Sequence, residues 1–322
     1  MNTKKEVLNI LKKAGGKAVS GESIAEELGI SRTAVWKAIR SIKDDGYSIG
    51  AKTNSGYILD VYSNVLDKDD IAERLDDKSL KDKIYVYKTL ESTNLTAKKM
   101  AVDGAEKNTV VIANEQTNGR GRLGRKFYSP SDTGLYISII LRPGVKGDLA
   151  VLYTTAASVE VCKAIEKVCG VYPQIKWVND IYLNEKKICG ILTEAVMDFE
   201  SAMVESLIVG IGVNVGAGNF PEDVTEIAGA ISNGGEKKFS RNTLAAEIIN
   251  GVAGIEAKLS SGGYIDEYKR RSMVIGKKIR IVGTGEIVTA KDIDDMGGLV
   301  VESEGGERKT LSTGEISIRP VD

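Results

Sequence analysis

The 322-residue sequence contains no histidine. That excludes a triad built on imidazole, an imidazole general base and any histidine-ligated metal, so catalysis here must run on carboxylates, Lys, Arg and backbone amides. Cysteine is scarce: Cys162, Cys169 and Cys189 are an odd set without Cys-x-x-Cys spacing. They support neither a disulfide framework nor a zinc site and read as buried thiols. No apolar run approaches a membrane span, and the start, Met1-Asn2-Thr3-Lys4-Lys5-Glu6, lacks the apolar core of a secretion signal. A cytoplasmic protein without membrane association is expected. Internal repeats and low-complexity tracts are also missing. At this length one core is unusual, so two or three domains are expected.

What is present is concentrated between Asn114 and Pro130, above all in Gly119-Arg120-Gly121-Arg122-Leu123-Gly124-Arg125. An apolar run, Val110 to Ala113, precedes this stretch and an alternating one, Leu135 to Ile139, follows it, so it reads as a loop between two strands. Glycine lets the backbone approach an anion, and arginine offers a planar fork of donors matched to phosphate or carboxylate oxygens. The loop is therefore suited to wrap a polyanion. Gly119, Gly121 and Gly124 also satisfy G-x-G-x-x-G, but Arg125 to Pro130 brings a proline and no helical period, against a dinucleotide fold. No Gly-Lys-Ser/Thr closes the run, which excludes the nucleoside triphosphatase phosphate loop.

Residues 1 to about 60 read as a unit of their own. Val7, Leu8, Ile10 and Leu11 recur at helical spacing before Gly15-Gly16; Ser20 caps a second helix that Gly29 stops; Ser31 caps a third with Val35, Ala38, Ile39 and Ile42 buried. Arg32, Thr33, Lys37, Arg40 and Lys43 are left for its exposed side, where cations reach phosphates and hydroxyls reach base edges. Tyr47 to Leu59 then reads as a hairpin with a polar tip, the wing of a winged helix. Residues 1 to 60 hold ten Lys and Arg against seven Asp and Glu, a surplus of three that gives nucleic acid only mild electrostatic support. A three-helix protein-interaction module remains the alternative.

Residues 61 to 70 lose both periods and look like a linker. A mixed α/β region follows to about 270. Ser92-Thr93-Asn94 opens a helix, where free amides and hydroxyls can hold a polar ligand group or merely cap. Asp148 to Cys169 is a long helix with Leu149, Leu152, Ala156, Val159 and Ala164 on its apolar face. Asp180 and Lys187 fall near each other on a hairpin turning at Asn184-Glu185-Lys186, with register open. Val204 to Val213 ends in Gly210-Ile211-Gly212, whose glycines suggest close approach of a ligand to the backbone or simple sheet packing. Helices span Leu244 to Leu259 and Tyr264 to Arg271, and five short strands between Lys278 and Arg319 make a small β-barrel.

Gly-Arg-Gly-Arg-x-Gly-Arg-Lys, with Ser92-Thr93-Asn94 upstream and Lys176-Trp177-Val178-Asn179-Asp180 downstream, closely resembles the biotin protein ligases. With the amino-terminal unit, the chain is similar to their bifunctional ligase and biotin-operon repressor type throughout. The resemblance implies an α+β multidomain chain: a winged helix-turn-helix over 1–62, a mixed α/β catalytic domain of the class II synthetase-like type over 63–271, and an SH3-like domain over 272–322.

It further implies ATP and biotin as substrates with Mg2+, and biotinyl-5'-AMP as intermediate. The partners it implies are the biotin carboxyl carrier domain of a carboxylase, operator DNA, and a second copy on adenylate and DNA binding. Biotin contacts carry over onto Ser92, Thr93, Asn94, Gln116, Gly119, Arg120, Gly121, Arg122, Lys187 and Gly190. Arg120, Arg122, Arg125, Phe127, Asn179 and Asn214 correspond to nucleotide positions. Arg122, Lys187 and Asp180 are the catalytic candidates, with Asp180 a magnesium ligand or an orienter of the incoming amine. Ser31, Arg32, Thr33, Lys37, Arg40 and Lys52 would face DNA. Two departures stand out: Phe127 replaces the family's usual tryptophan, which leaves a smaller stacking surface for adenine. Val178 replaces its usual proline, which leaves the turn before Asp180 less rigid. A lipoate-type ligase and a non-catalytic metabolite-sensing repressor are the competing readings. The loop run and the winged helix speak against the first, and intact loop arginines and Lys187 against the second.

Overall fold

The apolar spacing at the amino terminus closes into three helices, α1 (Thr3–Lys13), α2 (Gly21–Leu28) and α3 (Arg32–Asp44). This computed structural model describes residues 2–52, 55–62, 64–146, 150–197, 203–216, 220–233, 238–311 and 318–320. Asn2, Ser20 and Ser31 cap the three helices by accepting from the amides of Lys5, Ser23 and Ala34, donors that a first turn leaves free. Val7, Leu11, Ile24, Val35, Ile39 and Ile42 form one core with Tyr47, Ile49 and Leu59. Each such Val, Leu or Ile contributes about 1.5–3 kcal/mol by leaving water. Ile49 and Leu59 belong to the hairpin β1 (Ile49–Lys52) and β2 (Gly56–Leu59); its expected polar tip, Thr53 and Asn54, lies outside the described residues.

By its contacts the chain divides into two units, Met1–Asp67 with Lys238–Asn242, and Lys68–Lys237 with Thr243–Asp322. The short distant strip joins the first unit because Asn242 accepts from the Asp67 amide and donates to the Val65 carbonyl, both at 3.0 Å.

The second unit begins with α4 (Lys68–Glu73), which corrects the expected linker over 61–70 at its far end. Ile71 and Ala72 are buried, but so short a helix offers no period to read. There follow β3 (Ile84–Tyr87), α5 (Thr93–Val102), β4 (Val110–Ala113), β5 (Gly134–Leu141), β6 (Val145–Lys146), α6 (Ala150–Cys169), β7 (Gln174–Lys176), β8 (Asp180–Leu183), β9 (Lys186–Met197) and β10 (Met203–Asn214). Asp148 and Leu149, expected to open α6, lie outside the described residues. The strands order as β3-β4-β5-β10-β9-β8-β7, with β6 beside β10. Only β3 and β4 run parallel among the described pairings of this sheet.

Helices cover both faces of that sheet. Ala97 and Ala101 of α5 pack on Val111, Ile140 and Ile208. Thr154 of α6 donates to the Thr193 hydroxyl at 2.7 Å, and Thr193 alternates with Glu194 along β9, so α6 lies on the opposite face.

After α7 (Glu222–Thr225) come α8 (Arg241–Ala253), α9 (Ile255–Ser261) and α10 (Tyr264–Arg271). The single helix expected over 244–259 is thus broken at Gly254. Strands β11 (Lys278–Ile281), β12 (Ile287–Ile293), β13 (Leu299–Glu302), β14 (Arg308–Leu311) and β15 (Ile318–Pro320) form an antiparallel sheet ordered β14-β13-β12-β11-β15. Ile279, Val288, Ala290, Leu299 and Val301 alternate into its core. The three cysteines are buried, as expected. Among the described residues no helix is long and apolar enough to cross a membrane.

Candidate functional site

Strand register builds the site. Asp180 of β8 pairs with Gly190 of β9, Gly190 with Gly212 of β10, and Gly212 with Tyr136 of β5. Residues paired in register point to one face, so these four form a row across the sheet on the side covered by α5. The two glycines at its centre leave a floor without side chains. The Phe127 ring fills it: a Cβ on Gly212 would lie 2.5 Å from Phe127 Cε1. The same ring meets Tyr136 edge-on, with centroids 6.5 Å apart.

One register step along, Leu192, Gly210 and Ser138 form a second row. Asn94 lies over Gly210. Its amide nitrogen donates to Glu194 at 2.7 Å and to the Leu192 carbonyl at 3.2 Å, and its oxygen accepts from Ser138 at 2.6 Å. The close approach foreseen for Gly210 and Gly212 is thus made here by two of the protein's own side chains.

Ser92 caps α5 by accepting from the Leu95 amide. Thr93 donates through both its amide and its hydroxyl to Gln116 Oε1, at 2.8 and 3.0 Å, and Gln116 passes its own donor to Ser129 at 2.9 Å. This chain ties the helix start to the base of the arginine loop.

The loop closes as a hairpin. Gln116 N donates to Ser129 O, Phe127 N to Gly119 O, and Gly121 N to Arg125 O, at 3.0, 2.9 and 2.7 Å. Leu123 and Gly124 at its tip take positive φ, 56° and 73°. Arg120 and Arg125 are exposed, and Arg120 lies 3.6 Å from Glu91. Arg122 turns inward and donates to Asn179 Oδ1 at 3.2 Å. Burial pushes its guanidinium below its ordinary value, Asp180 opposes that shift and Arg125 adds to it. A guanidinium stays charged regardless, so the site carries a half-buried cation.

Asn179 is itself fixed, donating to the Ile191 carbonyl at 2.7 Å. Asp180 and Lys187, expected as neighbours on a hairpin, form an ion pair at 2.6 Å. Asn184 and Glu185 turn that hairpin with φ of 49° and 62°, the signature of a type I′ turn. Lys187 Nζ also stands 3.4 Å from the position a Gly190 Cβ would take. Asn214 is buried at the far end of β10 and donates to the Gly229 carbonyl at 3.0 Å. Phe127 is walled in by the floor glycines, whereas exposed Tyr128 stands edge-on to Phe220 at 6.5 Å.

The structure therefore brings Asn94, Gln116, Gly119, Arg122, Phe127, Asn179, Asp180, Lys187 and Gly190 to one face, and leaves Arg120, Gly121 and Arg125 along the outer loop. Ser138, Glu194, Ser129 and Phe220 were not singled out in the sequence. Ser138 and Glu194 sit in apolar strand patterns where only register reveals their facing. No three His, Cys, Asp or Glu side chains converge to hold a metal among the described residues, and the Asp180 carboxylate is already engaged by Lys187.

In the first unit, Ser31, Arg32, Thr33, Lys37 and Arg40 are exposed along α3, and Lys52 is exposed on the hairpin. Trp36, not anticipated, stands in the middle of this stripe at 52% exposure, with the Arg40 guanidinium 5.8 Å from its ring centre. Cations, hydroxyls and an aromatic exposed along α3, the helix that follows the turn after α2, suit a duplex groove.

Comparison with known proteins bears on both units. The model of the biotin/lipoate A/B protein ligase family matches residues 86–214, that of an HTH domain residues 3–58, and that of the biotin protein ligase C terminal domain residues 274–319. The chain is 32% identical over 316 residues to the bifunctional ligase/repressor BirA of Bacillus subtilis, covering 96% of this chain and 97% of the relative. It is 28% identical over 314 residues to BirA of Escherichia coli, covering 96% and 95%. Among solved structures, the biotin protein ligase from Aquifex aeolicus in complex with biotin and ATP has a TM-score of 0.65 at 26% identity, covering 74% of this chain and 99% of that one. With three domain matches in one order and such a relative along nearly its whole length, this chain belongs to the biotin protein ligase family, in its bifunctional ligase/repressor form.

Proposed function

We propose that this chain activates biotin with ATP, transfers it to a carrier lysine, and uses the intermediate to control its own binding to DNA. In the first step a biotin carboxylate oxygen attacks the α-phosphorus of ATP; the bond to the bridging oxygen breaks, giving biotinyl-5'-AMP and pyrophosphate. In the second the lysine amine attacks the mixed anhydride carbonyl, loses a proton and expels AMP. The first step brings two anions together and the second releases one, so what both need from the protein is fixed positive charge.

The observation that carries this reading is the inward Arg122, held by Asn179 beside the Asp180–Lys187 pair at the edge of a glycine floor. Arg122 and Lys187 would neutralise the meeting carboxylate and α-phosphate, while exposed Arg120 and Arg125 would take the outer phosphates. Ser92, Thr93 and Gln116 would bound the vitamin's polar ring, and Asn94, whose amide is spent on Glu194, Leu192 and Ser138, would brace that end. Asn214 would border the nucleotide. A magnesium ion supplied with ATP would be held by phosphate oxygens. Asp180, engaged by Lys187, does not fit a protein-held magnesium.

Residues 1–62 would read operator DNA through α3 and the wing, 63–271 would carry the chemistry, and 272–322 would complete the ligase. Adenylate bound under the arginine loop would favour a homodimer that places two winged helices on a palindrome.

Incubation with biotin, ATP, magnesium and a carrier domain, followed by intact mass, tests the ligase half. A carrier heavier by one biotinyl group is expected. Pyrophosphate released with lipoate and not with biotin would transfer the assignment to the lipoate type, and none with either would leave a metabolite sensor.

A further inference from the structure

The turn that carries Asn179 and Asp180 is held from outside the central sheet. Trp177, only 5% exposed, donates its indole N–H to the Gly297 carbonyl at 2.9 Å. Gly297 lies in the β12–β13 turn with φ of 81°. A Cβ there would sit 3.1 Å from Val151 and 3.2 Å from Thr155, so the turn is wedged against α6. Asp294 closes the same turn by accepting from the amides of Met296 and Gly298 at 2.9 and 2.8 Å. From the other side, Tyr268 donates to the Val178 carbonyl at 3.0 Å, and Met273 N donates to Ile175 O at 2.9 Å. Asn179 comes next in the chain, and it is the residue that accepts from Arg122.

We propose that Trp177 is a positioning residue for adenylate formation, and that the 294–298 turn of the C-terminal sheet is the clamp that aims Asn179 and, through it, Arg122. Indole offers a single donor, and that donor has a single partner here, so the bond fixes where the turn stands. Loss of the donor leaves a carbonyl without its partner and frees the turn to shift. A displacement near 1 Å at a group that must meet a transition state costs up to about a hundredfold in rate. The C-terminal sheet then contributes to the chemistry through Trp177. This inference rests on the adenylation reading above, and its test separates the two.

The full-length chain is assayed as wild type, Trp177→Phe, Asn179→Ala and the double variant. Phenylalanine keeps an aromatic ring and deletes the donor. Biotin-dependent pyrophosphate release is expected to show kcat lowered about tenfold in Trp177→Phe with KM for biotin nearly unchanged. The double variant is expected to be no slower than Asn179→Ala alone, because residues acting through one contact do not add. A kcat within about twofold of wild type, or losses that multiply in the double variant, overturns the proposal. Trypsin cleavage after Arg122 needs no substrate and is expected to quicken in both single variants; unchanged cleavage also overturns it. Wild type that releases no pyrophosphate would sink the ligase reading, while the cleavage rates would still decide the clamp. If Trp177→Phe fails to fold, Gly297→Ala at the other end of the bond is read by the same cycle, against the same outcomes.

Discussion

Asp180 and Lys187 meet at 2.6 Å on adjacent strands, each with more than a quarter of its side chain exposed. An ion pair so placed contributes at most about 1 kcal/mol to folding. Its position beside Arg122 and the glycine floor fits the role proposed for it in adenylation instead. Lys187→Met is therefore expected to change unfolding free energy by less than about 1 kcal/mol in urea. Adenylate formation should fall about a hundredfold in pyrophosphate release. Stability lost in proportion to rate would return Lys187 to the scaffold.

Arg122 is the loop cation that the fold turns inward, toward Asn179 at 3.2 Å. Arg122→Ala is expected to lower adenylate formation by about 10²–10³, and Arg122→Lys should recover little, since an ammonium cannot present the planar fork. Full activity in the alanine variant would refute the role given to the loop.

Gly212 has room for no side chain, because a Cβ would come within 2.5 Å of the Phe127 ring. Gly212→Ala is expected to cost about 1–3 kcal/mol in urea unfolding, as overpacking does, and to weaken biotin binding in titration calorimetry. Adding Phe127→Leu should restore much of the stability. If the pair of substitutions is no more stable than Gly212→Ala, the clash lies elsewhere.

The two tryptophans differ sharply, Trp36 being 52% exposed and Trp177 5%. If α3 enters a groove, operator duplex should shield Trp36 from iodide quenching in a Trp177→Phe background. Lys37→Ala should reduce the salt slope of binding by about 1, and Arg40→Ala should relax discrimination at a base by about 1–3 kcal/mol. Unaltered quenching with tight duplex binding would move the interface off this helix.

Biotin with ATP, and neither alone, is expected to raise the sedimentation coefficient toward that of a dimer at micromolar chain. A monomer under all conditions would end the corepressor half of the proposal and leave the ligase half standing.

Several elements could be read without any structure because their signals are local. Ser20, Ser31 and Ser92 cap the helices expected of them, and α10 spans Tyr264–Arg271 as its pattern predicts. The Asn184-Glu185 turn was legible from its polar residues, and with it the nearness of Asp180 to Lys187. The short α4 was not, and neither was the break at Gly254, since both depend on what the neighbouring chain packs against.

The sequence by itself determined the kinds of element, the cation-rich loop and the absence of imidazole chemistry, since propensity, capping and residue inventory act over a few neighbouring positions. Tertiary structure alone decided which of three loop arginines turns inward, that Asn94 and Phe127 fill the space over Gly210 and Gly212, and that a carbonyl at 297 holds the indole at 177. Those outcomes hang on strand register and on contacts between segments far apart in the chain. One residue of slip in β10 would take Gly210 and Gly212 off the face that Asn94 and Phe127 cover.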